Sequence, residues 1–230
     1  MSNLIVLPGQ TINEPVDVET AKNFLRVTTD ADDTLIGVLI TAAREVVETF
    51  TGRSLANKQY RQSLDSFPYF VDSALSQQAY PPSYYSLPSY STTMWNYSQM
   101  IKLFAPPLLS VDAVKYIATN GTLTTIDPAN YIVDSASEPA RIFPGPAGGN
   151  WPSCLYVPNA VQINFTSGYD TDPSVGPGVP KGIVIAILML VAGYYENREA
   201  QAPGSFSELP NHIQQILWSH RVLDFQPTRG

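Results

Sequence analysis

The chain has 230 residues and 25.2 kDa, enough for one large domain or two small ones, with 44% hydrophobic content that is ordinary for a globular fold. Its 13 basic and 20 acidic residues give a net charge of -7 and a pI near 4.7, which excludes an electrostatic grip on nucleic-acid phosphates. Charged residues make up only 14%, while Pro (20) and Tyr (13) are abundant, a composition expected of uncharged surface covered by other protein.

The opening MSNLIVLPGQ lacks a basic stretch followed by a long apolar run, so no signal peptide is expected. One cysteine, Cys154, excludes an internal disulfide framework and suits a reducing compartment. Asp17 is placed to cap a short helix, VETAKNFL, with Glu19 near its positive end. After the turn VTTDADD, Asp30 or Asp32 caps a longer helix, Asp33 to Thr51. There Leu35, Leu39, Ala43, Val46 and Phe50 predict one apolar stripe, and Gly52 predicts a left-handed C-cap.

The period then changes. Gln59 to Phe67, Met100 to Phe104, Val111 to Ala118, Leu123 to Ile126, Asn130 to Val133 and Val161 to Ser167 are β-branched or aromatic runs bounded by Pro, Gly, Asn and Asp, and Asn120-Gly121 signals a hairpin. The tail returns to helix at Pro180 to Ala200 and at Ser207 to Ser219, where Leu209, Ile213, Ile216 and Leu217 form a stripe. The first of these is apolar on every side from Ile183 to Tyr195, too short to span a bilayer at about 18 to 20 residues, so it must be buried within protein. Tyr194, Tyr195, Glu196 and Arg198 at its end are where it is expected to emerge and meet a neighbouring subunit.

The resulting fold class is α+β. A small helical core of about four helices, two N-terminal (1–58) and two C-terminal (180–230), carries an inserted antiparallel β region (59–179). Within the insertion, residues 68–99 hold six of the 13 tyrosines among Ser and Pro. Such a run is either a long surface loop or an arm that lays Tyr80, Tyr84, Tyr85, Tyr90 and Trp95 on a neighbouring subunit, since interface cores favour Tyr and Trp. A carbohydrate platform is a third reading, and with it a receptor- or glycan-binding module.

Chemistry is poorly served. One Cys and two His offer no zinc set, and His212 and His220 lie about 12 Å apart along a helix axis. Asp30, Asp32 and Asp33 lack the glycine and twelfth-position Glu of a calcium loop. No nucleophile elbow, phosphate loop or dinucleotide fingerprint occurs. Glu196 and Glu199, with Arg198 between them, read as ion pairs. No enzyme, cofactor, metal or membrane partner is expected.

The order of VETAKNFLRVTTDADDTLIGVLITAAREVVETFTGRSL, LFAPPLLSVDAVKYI, YIVDSASEPARIFP, VQINFTSGYD and VPKGIVIAILMLVAGYYENREA resembles the head-tail connector, or adaptor, proteins of long-tailed bacteriophages and gene transfer agents. The resemblance runs from about Val16 to Val222, with the aromatic insertion as the main departure. It implies a virion protein of the neck, made in the host cytoplasm, that forms a ring, commonly twelvefold, beneath the portal protein. The ring joins the portal to a stopper or tail-terminator protein and lets DNA pass through its lumen without sequence-specific binding, which a net charge of -7 per subunit favours. It further implies a C-terminal tail that docks on the portal, with Trp218, Arg221 and Phe225 as anchors.

Overall fold

The computed structural model describes residues 2–68, 99–145, 149–170, 177–196 and 209–222. The chain divides into a β unit (Met1–Val6, Tyr60–Leu103, Val111–Phe165) and a helical unit (Leu7–Gln59, Phe104–Ser110, Thr166–Gly230).

The helical unit holds four α-helices among the described residues. α1 (Val18–Leu25) starts as expected, with the Asp17 carboxylate accepting from the Thr20 N–H at 2.6 Å. α2 (Asp33–Thr51) ends on Gly52 at φ 70°, the left-handed C-cap. Asp32 holds the N-cap position without a side-chain cap bond. α3 (Lys181–Glu196) is the apolar helix, and Ile183, Ala186, Ile187, Leu188, Leu190 and Val191 are all buried. Burying that set contributes on the order of 10 kcal/mol of gross hydrophobic stabilisation. No described helix is long and apolar enough to cross a membrane. α4 (Asn211–Trp218) closes the core with Ile213 and Leu217.

The expected stripe of α2 is displaced by about one residue. The buried face is Ile36, Ile40, Ala43, Val47 and Thr51, joined by Arg44. Leu39, Val46 and Phe50 only edge the core, and Leu35 is exposed. Arg44 explains the shift: with its side chain 3% exposed it is held by Glu14 at 2.8 Å and Glu48 at 2.7 Å. Burial opposes the Arg44 charge, but these two carboxylates outweigh it and hold the guanidinium above its ordinary range. Glu48 is shared, since it also accepts from Lys58 Nζ and from the Leu55 N–H. One buried network therefore fixes the C-terminal half of α2 to the segment that follows it.

The β unit has two sheets. In the five-stranded sheet the order is β1-β2-β8-β4-β5, from β1 (Ser2–Val6), β2 (Lys58–Leu64), β4 (Leu108–Ile117), β5 (Leu123–Ile126) and β8 (Val161–Ser167). In the three-stranded sheet it is β3-β7-β6, from β3 (Ile101–Lys102), β6 (Tyr131–Asp134) and β7 (Arg141–Pro144). β4 and β5 pair antiparallel across Asn120-Gly121, with Gly121 at φ 83°, as the hairpin signal predicts. β8 alternates strictly, burying Val161, Ile163, Phe165 and Ser167. β1 and β7 are additions to the sequence reading: β1 pairs antiparallel with β2, and β7 pairs with both β3 and β6. The core is aromatic, with Tyr60 stacked on Phe165 and Phe67 stacked on Trp151 at centroid distances of 5.7 and 4.9 Å.

Candidate assembly surface

α2 carries a second apolar face beside the buried one. Leu35, Val38, Ala42, Val46 and Thr49 recur at helical spacing and lie on its outer side, where Leu35 is 36% and Val38 61% exposed. Farther along, Ala42, Glu45, Val46, Thr49 and Phe50 join Leu209 and Gln214 to line a groove of about 700 Å³ between α2 and the start of α4. The Glu45 side chain stands at its rim, 66% exposed and only 3.5 Å from Arg44 Nη2.

Beyond the groove lies an aromatic and basic cluster. Trp218, 51% exposed, meets Phe50 edge-on at 5.9 Å, and the Arg221 guanidinium lies 4.9 Å from the Trp218 ring and 5.8 Å from Phe50. One backbone bond and one side-chain bond fix the segment that carries Arg221: the Val222 N–H donates to the Thr51 carbonyl at 2.9 Å, and the Arg53 side chain donates through Nε to the His220 carbonyl at 2.6 Å. Gly182 lets α3 pass close to His220, because a Cβ there would lie 2.9 Å from its Nε2. Trp218 and Arg221, two of the three residues the resemblance nominated, thus share one surface at the C-terminal end of α2. Phe225, the third, lies outside the described residues.

At the end of α3, Tyr194 is half-buried against the core, and burial pushes its phenol above the ordinary range. Tyr195 donates its hydroxyl to Asp32 Oδ2 at 2.6 Å, which ties α3 to the start of α2 inside the subunit. Glu196 is exposed. Arg198 lies outside the described residues, as do Tyr80, Tyr84, Tyr85, Tyr90 and Trp95.

The two roots of the aromatic insertion do lie within the described residues. Phe67, 1% exposed, stacks on Trp151, whose indole N–H donates to the Gln99 carbonyl at 2.7 Å. Gln99 in turn donates through Nε2 to Asn150 Oδ1 at 2.7 Å. Trp151 therefore clasps the points where residues 68–99 leave and rejoin the β unit. No spacing in the sequence reveals this, since Trp151 sits in a Gly/Pro-rich stretch that reads as a connector.

The β unit also has a concavity of about 550 Å³ lined by Tyr116, Ile126, Asp127, Asn130, Asn150 and Trp151, among others. Its aromatic ring of greatest area is already spent, because Trp151 is 5% exposed and stacked on Phe67. Among the described residues no group of three or more His, Cys, Asp or Glu is placed to hold a metal ion. The described residues offer apolar and aromatic surface for docking, in the outer face of α2 and the Phe50–Trp218–Arg221 cluster.

Residues 15–80 match the family model described as phage gp6-like head-tail connector protein. No curated protein matches the chain. Solved structures match its fold over nearly its whole length. A chain in the neck of an empty gene transfer agent particle, computed with C6 symmetry, is 18% identical with a TM-score of 0.66, covering 99% of this chain and 100% of that one. A chain in the virion of a native gene transfer agent particle is 18% identical with a TM-score of 0.67, covering 99% of each. A chain in the neck of a native particle, computed with C12 symmetry, is 21% identical with a TM-score of 0.56, covering 96% of this chain and 100% of that one. This chain therefore has the fold of a neck protein of gene transfer agent particles, and its first two helices carry the sequence pattern of the phage head-tail connector family that the order of its segments resembles.

Proposed function

We propose that this protein is a structural head-tail adaptor of a tailed bacteriophage or related particle. It assembles as a ring in the neck below the portal and joins the head to the next neck component. The observation that carries this reading is the likeness of fold to chains in two gene transfer agent necks, over 99% and 96% of this chain, together with the connector-family match over residues 15–80. The ring is read as twelvefold. Its subunits meet through different patches, and a charge of -7 repeated around a lumen repels the phosphates of DNA in transit. The role is structural rather than catalytic.

The portal is the partner assigned to the C-terminal end. Trp218 and Arg221 present an exposed aromatic and a guanidinium on a fixed base, the residue types that dominate interface hot spots, and Phe225 follows in the tail. Tyr194, Tyr195, Glu196 and Arg198 are assigned to the contact between subunits, with the Tyr195–Asp32 bond setting how that end of α3 is presented. The aromatic segment 68–99, with Tyr80, Tyr84, Tyr85, Tyr90 and Trp95, is assigned to the same role from its clasped roots.

The portal assignment is tested by a pull-down on portal protein with full-length chain, a variant lacking residues 224–230, and Trp218→Ala with Arg221→Ala. The deletion and the double substitution are each expected to weaken portal capture at least tenfold while leaving the helical ellipticity unchanged. Capture equal to that of the unaltered chain would remove the tail and its base from the portal contact.

A further inference from the structure

We propose that the groove between α2 and α4 receives the C-terminal end of α1 from a second copy of this chain, with Phe24 as the inserted side chain and Arg26 paired to Glu45 at the rim. The inference rests on the ring reading above and names the contact that builds the ring.

The groove is concave, apolar at its floor and acidic at its edge. Ala42, Val46, Thr49, Phe50 and Leu209 supply the floor, and Glu45 the charge. Arg44 engages Glu45 only loosely, at 3.5 Å through Nη2, because its short ion pairs run to Glu14 and Glu48 at 2.8 and 2.7 Å, and the Glu45 side chain stays 66% exposed to a second cation. A site of this kind selects an aromatic side chain with a neighbouring cation.

The end of α1 presents that pair. Phe24 is a large apolar side chain left 41% exposed on a helix whose buried residue is Ala21. Arg26 follows as the C-cap at φ 58°, a left-handed position where Gly is commonest and a side chain meets steric resistance. Its guanidinium has no ion pair among the described residues. Lys22, the other cation of this helix, is already engaged by Asp30 at 2.6 Å and Asp33 at 2.7 Å. Phe24 and Arg26 are therefore the uncommitted aromatic and the uncommitted cation of one helix end, and both aromatic and Arg side chains are favoured anchors of interfaces.

A subunit cannot fill its own groove. α1 lies along the first half of α2, since Lys22 pairs with Asp33 and a Cβ on Gly37 would touch Val18 at 4.0 Å. The groove begins at Ala42 and is centred near Val46, about 20 Å from Asp33 along the helix at 1.5 Å per residue. Knob and groove are thus different patches toward opposite ends of one rod-like element. Repeating such a head-to-tail contact generates a closed ring when the rotation closes. The outer apolar residues Leu35 and Val38 lie on the same side of α2 as the groove, where a docked neighbour covers them. The local attraction also opposes the repulsion among subunits that each carry -7.

The test uses the full-length protein with portal protein supplied, assembly being read by light scattering and folding by thermal melting. Arg26→Glu and Glu45→Arg are each expected to raise the concentration for half-assembly at least tenfold, with melting unchanged. The doubly substituted chain is expected to return to within about threefold of the unaltered protein. An equimolar mixture of the two single variants is expected to assemble where neither does alone, because every contact in an alternating ring again pairs opposite charges. Ala42→Trp, which fills the groove, is expected to block assembly without charge. Normal assembly by both single variants and by Ala42→Trp, or failure of both double variant and mixture to recover, would overturn the contact. Failure of the unaltered chain to assemble, with or without portal, would instead overturn the ring reading and the contact with it.

Discussion

Replacing Arg44 with Met is expected to destabilise the helical unit by about 3–5 kcal/mol, because it removes the cation from a buried network and leaves its carboxylates uncompensated. Arg44 is 3% exposed and bonds Glu14 through Nε and Glu48 through Nη1. Lys58 stays on Glu48, so the group left most exposed to the loss is Glu14, which retains a hydrogen bond from Thr41 at 2.9 Å. Arg44→Lys keeps the charge but not the two-pronged geometry and is expected to cost less than Arg44→Met. Thermal melts followed by helical ellipticity report this unit selectively, since the four described helices lie in it. At about 2–4 °C per kcal/mol for a chain of this length, Arg44→Met is expected to lower Tm by roughly 6–20 °C. A fall under about 2 °C would show that the network contributes little and that α2 is held by apolar burial alone.

Gly168→Ala is expected to be as damaging for a steric reason. Gly168 follows β8 at φ 131°, outside the regions open to a side chain, and a Cβ there would lie 2.0 Å from the Ala56 carbonyl oxygen and 2.5 Å from its carbon. The close approach is backbone against backbone, fixed further by the Gly168 N–H donating to the Pro107 carbonyl at 2.8 Å. No flexible side chain can give way. We expect a loss on the order of 4 kcal/mol, at the upper end of single substitutions, with much reduced soluble yield. Gly121→Ala is the control: Gly121 sits at φ 83° in the hairpin with no atom within 4 Å of an added Cβ. It is expected to cost only about 1 kcal/mol. Equal losses at the two glycines would contradict the steric argument.

Elements with strong local signals are legible in the sequence alone. The Asp17 cap, the Gly52 terminus, the Asn120-Gly121 hairpin and the apolar run of α3 each depend on a few adjacent residues. β1 was not readable, since SNLIV is short and its partner β2 lies more than 50 residues away. β7 ends in Pro144 and follows a turn, so RIFP looks like more of the same turn. The buried face of α2 differs from the expected stripe because the apolar arc of the helix is very wide. Leu35, Ile36, Val38, Leu39, Ile40, Ala42, Ala43, Val46, Val47 and Phe50 cover most of the circumference. Arg44, which sequence logic assigns to solvent, sits on the buried side. The same width is what leaves apolar surface outside the core. The Trp151 clasp depends on three distant segments meeting, which no period in the chain encodes.

The central claim is that this fold works as one subunit of a ring in a particle neck. Mass by light scattering, with negative-stain imaging of the same samples, tests it most directly when the 25.2 kDa chain is measured alone and with portal protein. The account predicts closed rings, formed alone or once portal is supplied, with a mass twelve times that of the chain, in keeping with the C12 symmetry in which one structure of like fold was computed. A chain that stays monomeric or trimeric in both conditions would contradict it.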